Sequence, residues 1–138
     1  MKISLISVDG YFSLGIRYLS AKLRSSGFET RMVFLPYVVD DYFLTRSVDE
    51  IYELVRDSDV IGVSSMAYSA KKATQIISRL KPLKVPIVFG GVYPTTCPEE
   101  CIKHSDYICR GEGEDAINEF AERLNRGVDY LDVKNFWF

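Results

Sequence analysis

The sequence has little excess charge of either sign and only one histidine. It holds 17 lysine and arginine residues against 19 aspartate and glutamate residues, which leaves a net charge of -2 at pH 7. Because nucleic-acid binders usually carry a basic patch, this balance argues against nucleic acid as a partner. A single histidine also excludes a histidine pair, and we expect the chain alone not to be catalytic.

Long apolar runs are lacking as well. No stretch approaches the roughly 20 apolar residues that cross a bilayer, and the apolar start of the chain, Lys2 to Val8, is too short for a signal-peptide core. We therefore expect a cytoplasmic protein without a membrane partner. Three cysteines are an odd number in a chain without a secretion signal, which favours reduced thiols.

Short apolar runs alternate with helical periods along the chain, a pattern typical of strand and helix units around a parallel sheet. The predicted strands are Ile3 to Val8, Thr30 to Leu35, Val60 to Ser64, Pro86 to Phe89 and Tyr107 to Cys109. The predicted helices are Leu14 to Ser26, Val48 to Asp57, a stripe over Ala73 to Leu80, Pro98 to Lys103 and Glu114 to Asn125. The nearly continuous apolar character of the strands indicates helices on both faces of the sheet. We predict an α/β fold, a three-layer doubly wound flavodoxin- or Rossmann-like domain with a parallel five-stranded sheet of order 2-1-3-4-5.

Four loop patterns directly follow predicted strands. They are Val8-Asp9-Gly10, Val63-Ser64-Ser65-Met66, Phe89-Gly90-Gly91 and the run Arg110-Gly111-Glu112-Gly113-Glu114. The carboxyl ends of parallel strands lie at one edge of a sheet, where open α/β sheets bind their ligands. The sequence therefore predicts that these loops meet in a single site.

Each loop residue has a binding interpretation and a purely structural one. Glycines at 90 and 91 let the backbone approach a bulky ligand, or serve an ordinary tight turn. Ser64 either donates to a heterocycle that reaches the sheet edge or caps the next helix. Asp9 either accepts a bond from a ligand amide or stabilises a turn with Gly10. The acidic residues Glu112 and Glu114 either face the site or answer the helix dipole.

Aromatic residues are concentrated in the loops that follow strands. The seven are Tyr11, Phe12, Tyr37, Tyr42, Phe43, Tyr68 and Tyr93. If they gather at one edge they form an amphipathic platform for a macrocycle or for the face of a following domain. The alternative is that each ring packs locally.

Several of these runs resemble a known family. Gly90-Gly91-Val92-Tyr93-Pro94, then Pro98-Glu99-Glu100, then the run from Asp106 to Glu114 are similar to the amino-terminal cobalamin-binding domain found ahead of a radical S-adenosylmethionine barrel. The resemblance implies a cobalamin-binding Rossmann domain over residues 1–127. It implies a terminal strand, or the start of a linker to an absent radical S-adenosylmethionine barrel, over residues 128–138.

Cobalamin domains of this fold carry three motifs, and this chain matches two of them. Ser64-Ser65-Met66 resembles Ser-x-Leu, and Gly90-Gly91 resembles the double glycine. In the first motif, Asp-x-His-x-x-Gly, Asp9 matches, but Tyr11 stands in place of the histidine and Gly15 comes one residue late. The resemblance thus implies bound cobalamin whose nucleotide tail enters the domain and whose cobalt has no protein histidine ligand.

The resemblance assigns the cofactor contacts to residues of the four loops. These are Asp9, Gly10, Tyr11, Ser64, Ser65, Met66, Gly90, Gly91, Tyr93, Gly111 and Glu112. Cys97 and Cys101 imitate the start of a Cys-x-x-x-Cys-x-x-Cys cluster motif, but Cys109 does not complete it, so we expect no metal site here. The iron–sulfur cluster and S-adenosylmethionine are expected only in the absent downstream domain.

The leading interpretation is a cobalamin-binding module that presents cobalt to that downstream domain for methyl transfer. The first alternative is a docking domain that keeps the fold without the cofactor, since the first motif is broken. The second is a flavodoxin-like flavin or nucleotide binder, although residues 9–15 offer only Ser13 and two separated glycines as a phosphate-holding loop. A phospho-receiver is disfavoured because Ser64 and Ser65 stand where strand 3 would end in aspartate.

Overall fold

A six-stranded sheet of order β2-β1-β3-β4-β5-β6 forms the centre of the molecule, as a computed structural model describing all residues 1–138 shows. The strands are β1 (Lys2–Ser7), β2 (Glu29–Phe34), β3 (Val60–Ser64), β4 (Ile87–Gly90), β5 (Tyr107–Cys109) and β6 (Phe136–Trp137). Strands β1 to β5 are parallel, and β6 is antiparallel to β5. The predicted order 2-1-3-4-5 is confirmed.

The helices are α1 (Leu14–Ser25), α2 (Thr45–Val55), α3 (Ala70–Leu80), α4 (Val92–Thr96), α5 (Pro98–Cys101) and α6 (Glu114–Arg126). The short helix predicted over Pro98 to Lys103 corresponds to α5, and α4 before it was not predicted. Helix α6 has Glu114 and Asp115 in its first turn and arginines in its last, as the helix dipole favours. None of the helices combines the length and apolar character that crossing a membrane requires.

Helices cover both faces of the sheet and enclose two apolar cores. One core of 17 buried residues lies under α2 and α3 and includes Val55, Ile76 and Phe89. The other, of 14 residues, lies under α1 and α6 and includes Leu23 and Phe120. This is the predicted three-layer, doubly wound α/β architecture.

The sheet has one strand more than the five that the sequence predicted. β6 comes from the apolar tail after Gly127, and the Arg110 amide donates to the Asn135 carbonyl at 2.8 Å beside it. Phe136 is buried and stacks on Phe120 with ring centroids 4.8 Å apart. The fifth strand is thus paired on both sides, because burial of the tail aromatics stabilises a sixth strand of only two residues.

Candidate functional site

A cavity of about 180 Å³ lies at the carboxyl edge of the sheet, between the sheet and the layer of α1 and α6. Its wall includes the ends of β3 and β4, the loop after β5, and the first turns of α1 and α6. The lining residues are Leu5, Gly15, Ile16, Leu19, Gly62, Val63, Ser64, Val88, Gly90, Gly91, Cys109, Gly111, Glu112, Gly113, Glu114 and Ile117. The carboxyl ends of three different strands therefore share one concave site.

Six of the 16 lining residues are glycine, and two of them show opposite reasons for it. Gly91 has φ +99°, and a Cβ atom there would lie 2.8 Å from both the Ser64 hydroxyl oxygen and the Ser65 carbonyl oxygen. Packing and backbone conformation both demand glycine at 91. A Cβ atom at Gly15 would meet no atom within 4 Å, and its φ is not positive. Nothing within the folded chain requires glycine at 15, so its missing side chain leaves room in the cavity.

The inner wall is apolar and the polar side chains are few. Leu5, Ile16, Val88 and Ile117 are buried core residues that also line the cavity. Glu112 is exposed and Glu114 is half-buried, and both lie on the cavity wall. The arrangement suits the ring of a ligand with one or two polar contacts, as in most small-molecule sites.

Cys109 contributes its thiol to this apolar wall. Burial, and next the nearby Glu114 carboxylate, raise the pKa of Cys109 to about 12. The thiol is therefore protonated at neutral pH and acts as a small apolar group, since nucleophiles and metal ligands are thiolates. No group of three or more His, Cys, Asp or Glu side chains is arranged to hold a metal ion.

Backbone hydrogen bonds join the loops after β3 and β4. The Ser65 amide donates to the Gly90 carbonyl at 3.2 Å, and the Tyr93 amide donates to the Ser65 carbonyl at 3.1 Å. The Ser65 hydroxyl is buried without a hydrogen-bond partner, whereas Ser64 reaches the cavity wall. Ser64 and Gly91 thus form one continuous part of the wall.

The structure brings five of the eleven predicted contact residues to the cavity. These are Ser64, Gly90, Gly91, Gly111 and Glu112. Six others lie at the same edge or behind it, outside the cavity wall: Asp9, Gly10, Tyr11, Ser65, Met66 and Tyr93. The expectation that the four loops meet at one edge is confirmed, since Asp9 is hydrogen-bonded to Met66 and the other three loops share the cavity.

Two of the residues outside the wall, Asp9 and Tyr93, have side-chain partners within the chain. The Asp9 carboxylate accepts hydrogen bonds from the Met66 amide and from the Ser69 hydroxyl. Tyr93 packs edge-on against Phe89, with ring centroids 6.3 Å apart, and burial raises the pKa of its hydroxyl. Tyr11 is 56% exposed.

Three glycines of the wall, Gly15, Gly62 and Gly113, are not among the eleven predicted contact residues, although Gly113 belongs to one of the four loop patterns. Gly62 interrupts an otherwise apolar strand, and glycine inside a strand often marks a close approach of other atoms. A Cβ atom at 62 would lie 2.9 Å from Leu5 Cδ2, which shows such an approach. Gly15 carried a weaker signal, because it stands one position beyond the glycine of the incomplete first motif.

The predicted aromatic platform is wrong for Phe43, whose side chain is buried. None of the seven aromatic rings lines the cavity. The Gln75 side-chain amide holds the Phe43 backbone: the oxygen accepts from the Phe43 amide at 2.9 Å, and the nitrogen donates to the Phe43 carbonyl at 3.0 Å. The buried Lys72 ammonium lies 5.7 Å from the Phe43 ring and donates to the Val38 carbonyl. Exposed rings remain at this edge: Tyr11, Phe12, Tyr37, Tyr42 and Tyr68.

Comparison with protein families gives one match over most of the chain. The family model described as B12 binding domain matches residues 5–121. Two curated relatives come from Chlorobaculum tepidum. The bacteriochlorophyllide d C-12(1)-methyltransferase is 32% identical over 82 residues, which cover 59% of this chain and 18% of that protein. The C-8(2)-methyltransferase is 28% identical over 82 residues, covering 58% and 18%. The chain therefore spans about a fifth of the length of these relatives.

Solved structures share the fold at low sequence identity. The radical S-adenosylmethionine methyltransferase TsrM from Kitasatospora setae, solved with cobalamin and a 4Fe-4S cluster bound, superposes with a TM-score of 0.79 at 20% identity. The match covers 98% of this chain and 28% of that one. The amino-terminal domain of a hypothetical protein from Thermotoga maritima gives a TM-score of 0.53 at 19% identity, covering 78% of this chain and 81% of that one.

Proposed function

The chain belongs to the B12-binding domain family, and from this premise we propose that it binds cobalamin at the carboxyl edge of its sheet. The observation that carries the proposal is the glycine-lined cavity beside Ser64 and Gly91. A glycine at 15 that the fold itself does not require supports a ligand in that space.

The size of the cavity decides which part of cobalamin it would hold. At about 180 Å³ it lies below the roughly 300–1,000 Å³ of sites that take a drug-sized molecule. We propose that the heterocycle of the nucleotide tail occupies the cavity against Leu5, Val88 and Ile117, with the Ser64 hydroxyl as its polar contact. The corrin ring then remains outside, at the edge that carries the exposed aromatic residues.

The positions of its residues also indicate whether this chain can supply a histidine ligand to cobalt. Tyr11 occupies the motif position of a histidine, and the only histidine, His104, precedes β5 and so lies at the opposite edge of the sheet. We propose that no protein histidine coordinates the cobalt. Bound cobalamin would supply a cobalt ion that can carry a methyl group, while this chain binds and orients the cofactor.

The relatives support a wider role for the parent protein. Both curated relatives are methyltransferases several times longer than this chain, and the TsrM structure holds cobalamin and an iron–sulfur cluster in one protein. We propose that this chain is the module that presents cobalt to a radical S-adenosylmethionine active site for methyl transfer. The cluster and S-adenosylmethionine would belong to that other domain.

Ligand retention tests the proposal directly. The chain is mixed with hydroxocobalamin, freed of unbound ligand and examined by visible spectroscopy. We expect the chain to retain cobalamin, with the spectrum of a cobalt that has no nitrogen ligand on its lower face. Affinity for cobinamide, a corrinoid without the nucleotide tail, should be lower by more than about tenfold. A chain that retains neither corrinoid supports a docking domain without cofactor.

A cavity-filling substitution locates the tail. Gly15→Leu adds a side chain where a Cβ atom meets nothing, so we expect the variant to fold while the cavity loses volume. We expect the dissociation constant for cobalamin to rise about tenfold or more and that for cobinamide to stay unchanged. Ala21→Leu is the control, since Ala21 is exposed on α1 and outside the cavity wall. Equal effects of the two substitutions would contradict a tail bound in this cavity.

A further inference from the structure

Asp9 joins the ends of two neighbouring strands through both of its carboxylate oxygens. Oδ2 accepts a hydrogen bond from the Met66 amide at 2.9 Å, and Oδ1 accepts one from the Ser69 hydroxyl. Ser69 is buried and immediately precedes α3. The carboxylate therefore ties the loop after β1 to the segment 66–69 after β3.

The segment that Asp9 holds is continuous with the cavity wall. Met66 follows Ser65, whose backbone is hydrogen-bonded to Gly90 at the end of β4 and to Tyr93 in the first turn of α4. Ser64 and Gly91 approach so closely that a Cβ atom at 91 would overlap the Ser64 hydroxyl. Because these loops interlock, a displacement of residues 64–66 would change the wall on both sides of Ser64. Asp9 itself contributes no atom to that wall.

We propose that Asp9 is a positioning residue for the cofactor cavity. Its carboxylate holds residues 64–69 in place, so that Ser64 and Gly91 keep the shape that receives the nucleotide tail. This inference rests on the proposed cobalamin binding and assigns Asp9 no contact with the cofactor. The Asp9 carboxylate accepts both hydrogen bonds, one of them from a buried hydroxyl, and hydrogen bonds to a carboxylate are stronger than those between neutral groups.

Replacement of Asp9 by asparagine separates geometry from charge. The amide oxygen can accept from the Met66 amide, and the amide nitrogen can donate to the Ser69 oxygen. The Ser69 hydroxyl hydrogen then has the Met66 carbonyl, which lies 3.2 Å from Ser69 Oγ, as its acceptor. A positioning role therefore tolerates Asp9→Asn, whereas a role that depends on negative charge beside the ligand does not.

The experiment measures dissociation constants for cobalamin and cobinamide with four proteins. They are the unchanged chain, Asp9→Ala, Asp9→Asn and the control Asp59→Ala. Asp59 accepts a hydrogen bond from the Lys2 amide at 2.7 Å and lies at the amino edge of the sheet, so its loss also removes a carboxylate tie between strand ends. Thermal unfolding of each protein reports stability separately from binding.

We expect Asp9→Ala to weaken cobalamin binding about tenfold and cobinamide binding by less than about twofold, which lowers the ratio of the two affinities. Asp9→Asn should stay within about threefold of the unchanged chain. Asp59→Ala should lower the melting temperature and leave the affinity ratio unchanged. If Asp9→Ala proves too unstable to measure, Ser69→Ala removes one of the two donors and should lower the ratio in the same direction by a smaller factor.

Two outcomes would overturn the inference while cobalamin binding stands. One is an unchanged ratio of the two affinities in Asp9→Ala, whether neither affinity falls or both fall equally. The other is a loss in Asp9→Asn as large as in Asp9→Ala. Failure of the unchanged chain to bind cobalamin is a different result, and it overturns the proposed function itself.

Discussion

Gly91 shows how one residue serves both the fold and the site. Its positive φ turns the chain out of β4, and its missing side chain lets the loop lie against Ser64 and Ser65. Gly27, after α1, has a similar φ of +90°, but a Cβ atom there would meet nothing within 4 Å. A comparison of the two glycines therefore separates the cost of a strained backbone from the cost of steric overlap.

Alanine substitutions at these glycines should differ in cost. Gly27→Ala carries only the strain of a positive φ, and we expect the free energy of unfolding to fall by about 1 kcal/mol. Gly91→Ala adds overlap with a backbone carbonyl that cannot move cheaply, and we expect a loss of about 3 kcal/mol. Chemical denaturation of both variants measures the difference. Equal losses would show that the loop after β4 relaxes to admit a side chain.

Among the elements, β6 and α6 form a unit with the end of the chain. Phe120 of α6 packs against Tyr107, Tyr130 and Phe136 with ring centroids about 5 Å apart. The apolar tail is thereby covered on its inner side, while Phe138 stays 43% exposed. A two-residue strand has few hydrogen bonds of its own, so this aromatic packing is what stabilises it.

Truncation of the tail aromatics should follow their burial. Phe136→Ala removes a buried ring from the core under α1 and α6, and we expect a loss of about 3 kcal/mol in the free energy of unfolding. Phe138→Ala removes a half-exposed ring and should cost about 1 kcal/mol. Thermal or urea unfolding of the two variants makes the comparison. A larger loss at 138 than at 136 would contradict this account of how β6 is held.

At the scale of the whole molecule, the amino edge of the sheet carries an ion-pair cluster centred on Asp57. Asp57, after α2, accepts hydrogen bonds at 2.7 Å from both the Arg31 guanidinium and the Lys2 ammonium. These cations belong to β2 and β1, so one carboxylate connects two strands to the end of a helix. The hydrogen bond from Arg31, followed by that from Lys2, holds the pKa of Asp57 well below its ordinary value of 3.8.

This lowered pKa predicts the acid dependence of stability. A carboxyl group with a lower pKa in the folded state stabilises the protein above its unfolded pKa, and this contribution is lost as the pH falls toward the folded pKa. We expect Asp57→Asn to flatten the decline of unfolding free energy below about pH 4. Asp40→Asn, at an exposed carboxylate without an ion-pair partner, is the control. Chemical denaturation of both variants between neutral and acid pH measures this dependence. Parallel losses of stability in the two variants would contradict the prediction.

The sequence alone determined those features of this protein that depend on residues close together along the chain. The apolar runs located the five parallel strands, because strand length and apolar character are visible in neighbouring residues. Their order followed from the general rule of right-handed crossovers in doubly wound sheets. The turn residues after each strand placed Asp9, Ser64, Gly90 and Gly111 at one edge, since parallel strands all end on the same side. The broken first motif was likewise visible, because it lies in adjacent positions.

Only the tertiary structure decided which of those residues face the cavity. The oxygens of Asp9 are used by Met66 and Ser69, about sixty positions along the chain, and Phe43 is drawn inward by Gln75 and Lys72. The open space beside Gly15 lies where the first turns of α1 and α6 face the carboxyl ends of the strands. The direction of a side chain and its partner depend on contacts between segments that are distant in sequence, and local periodicity carries no record of them.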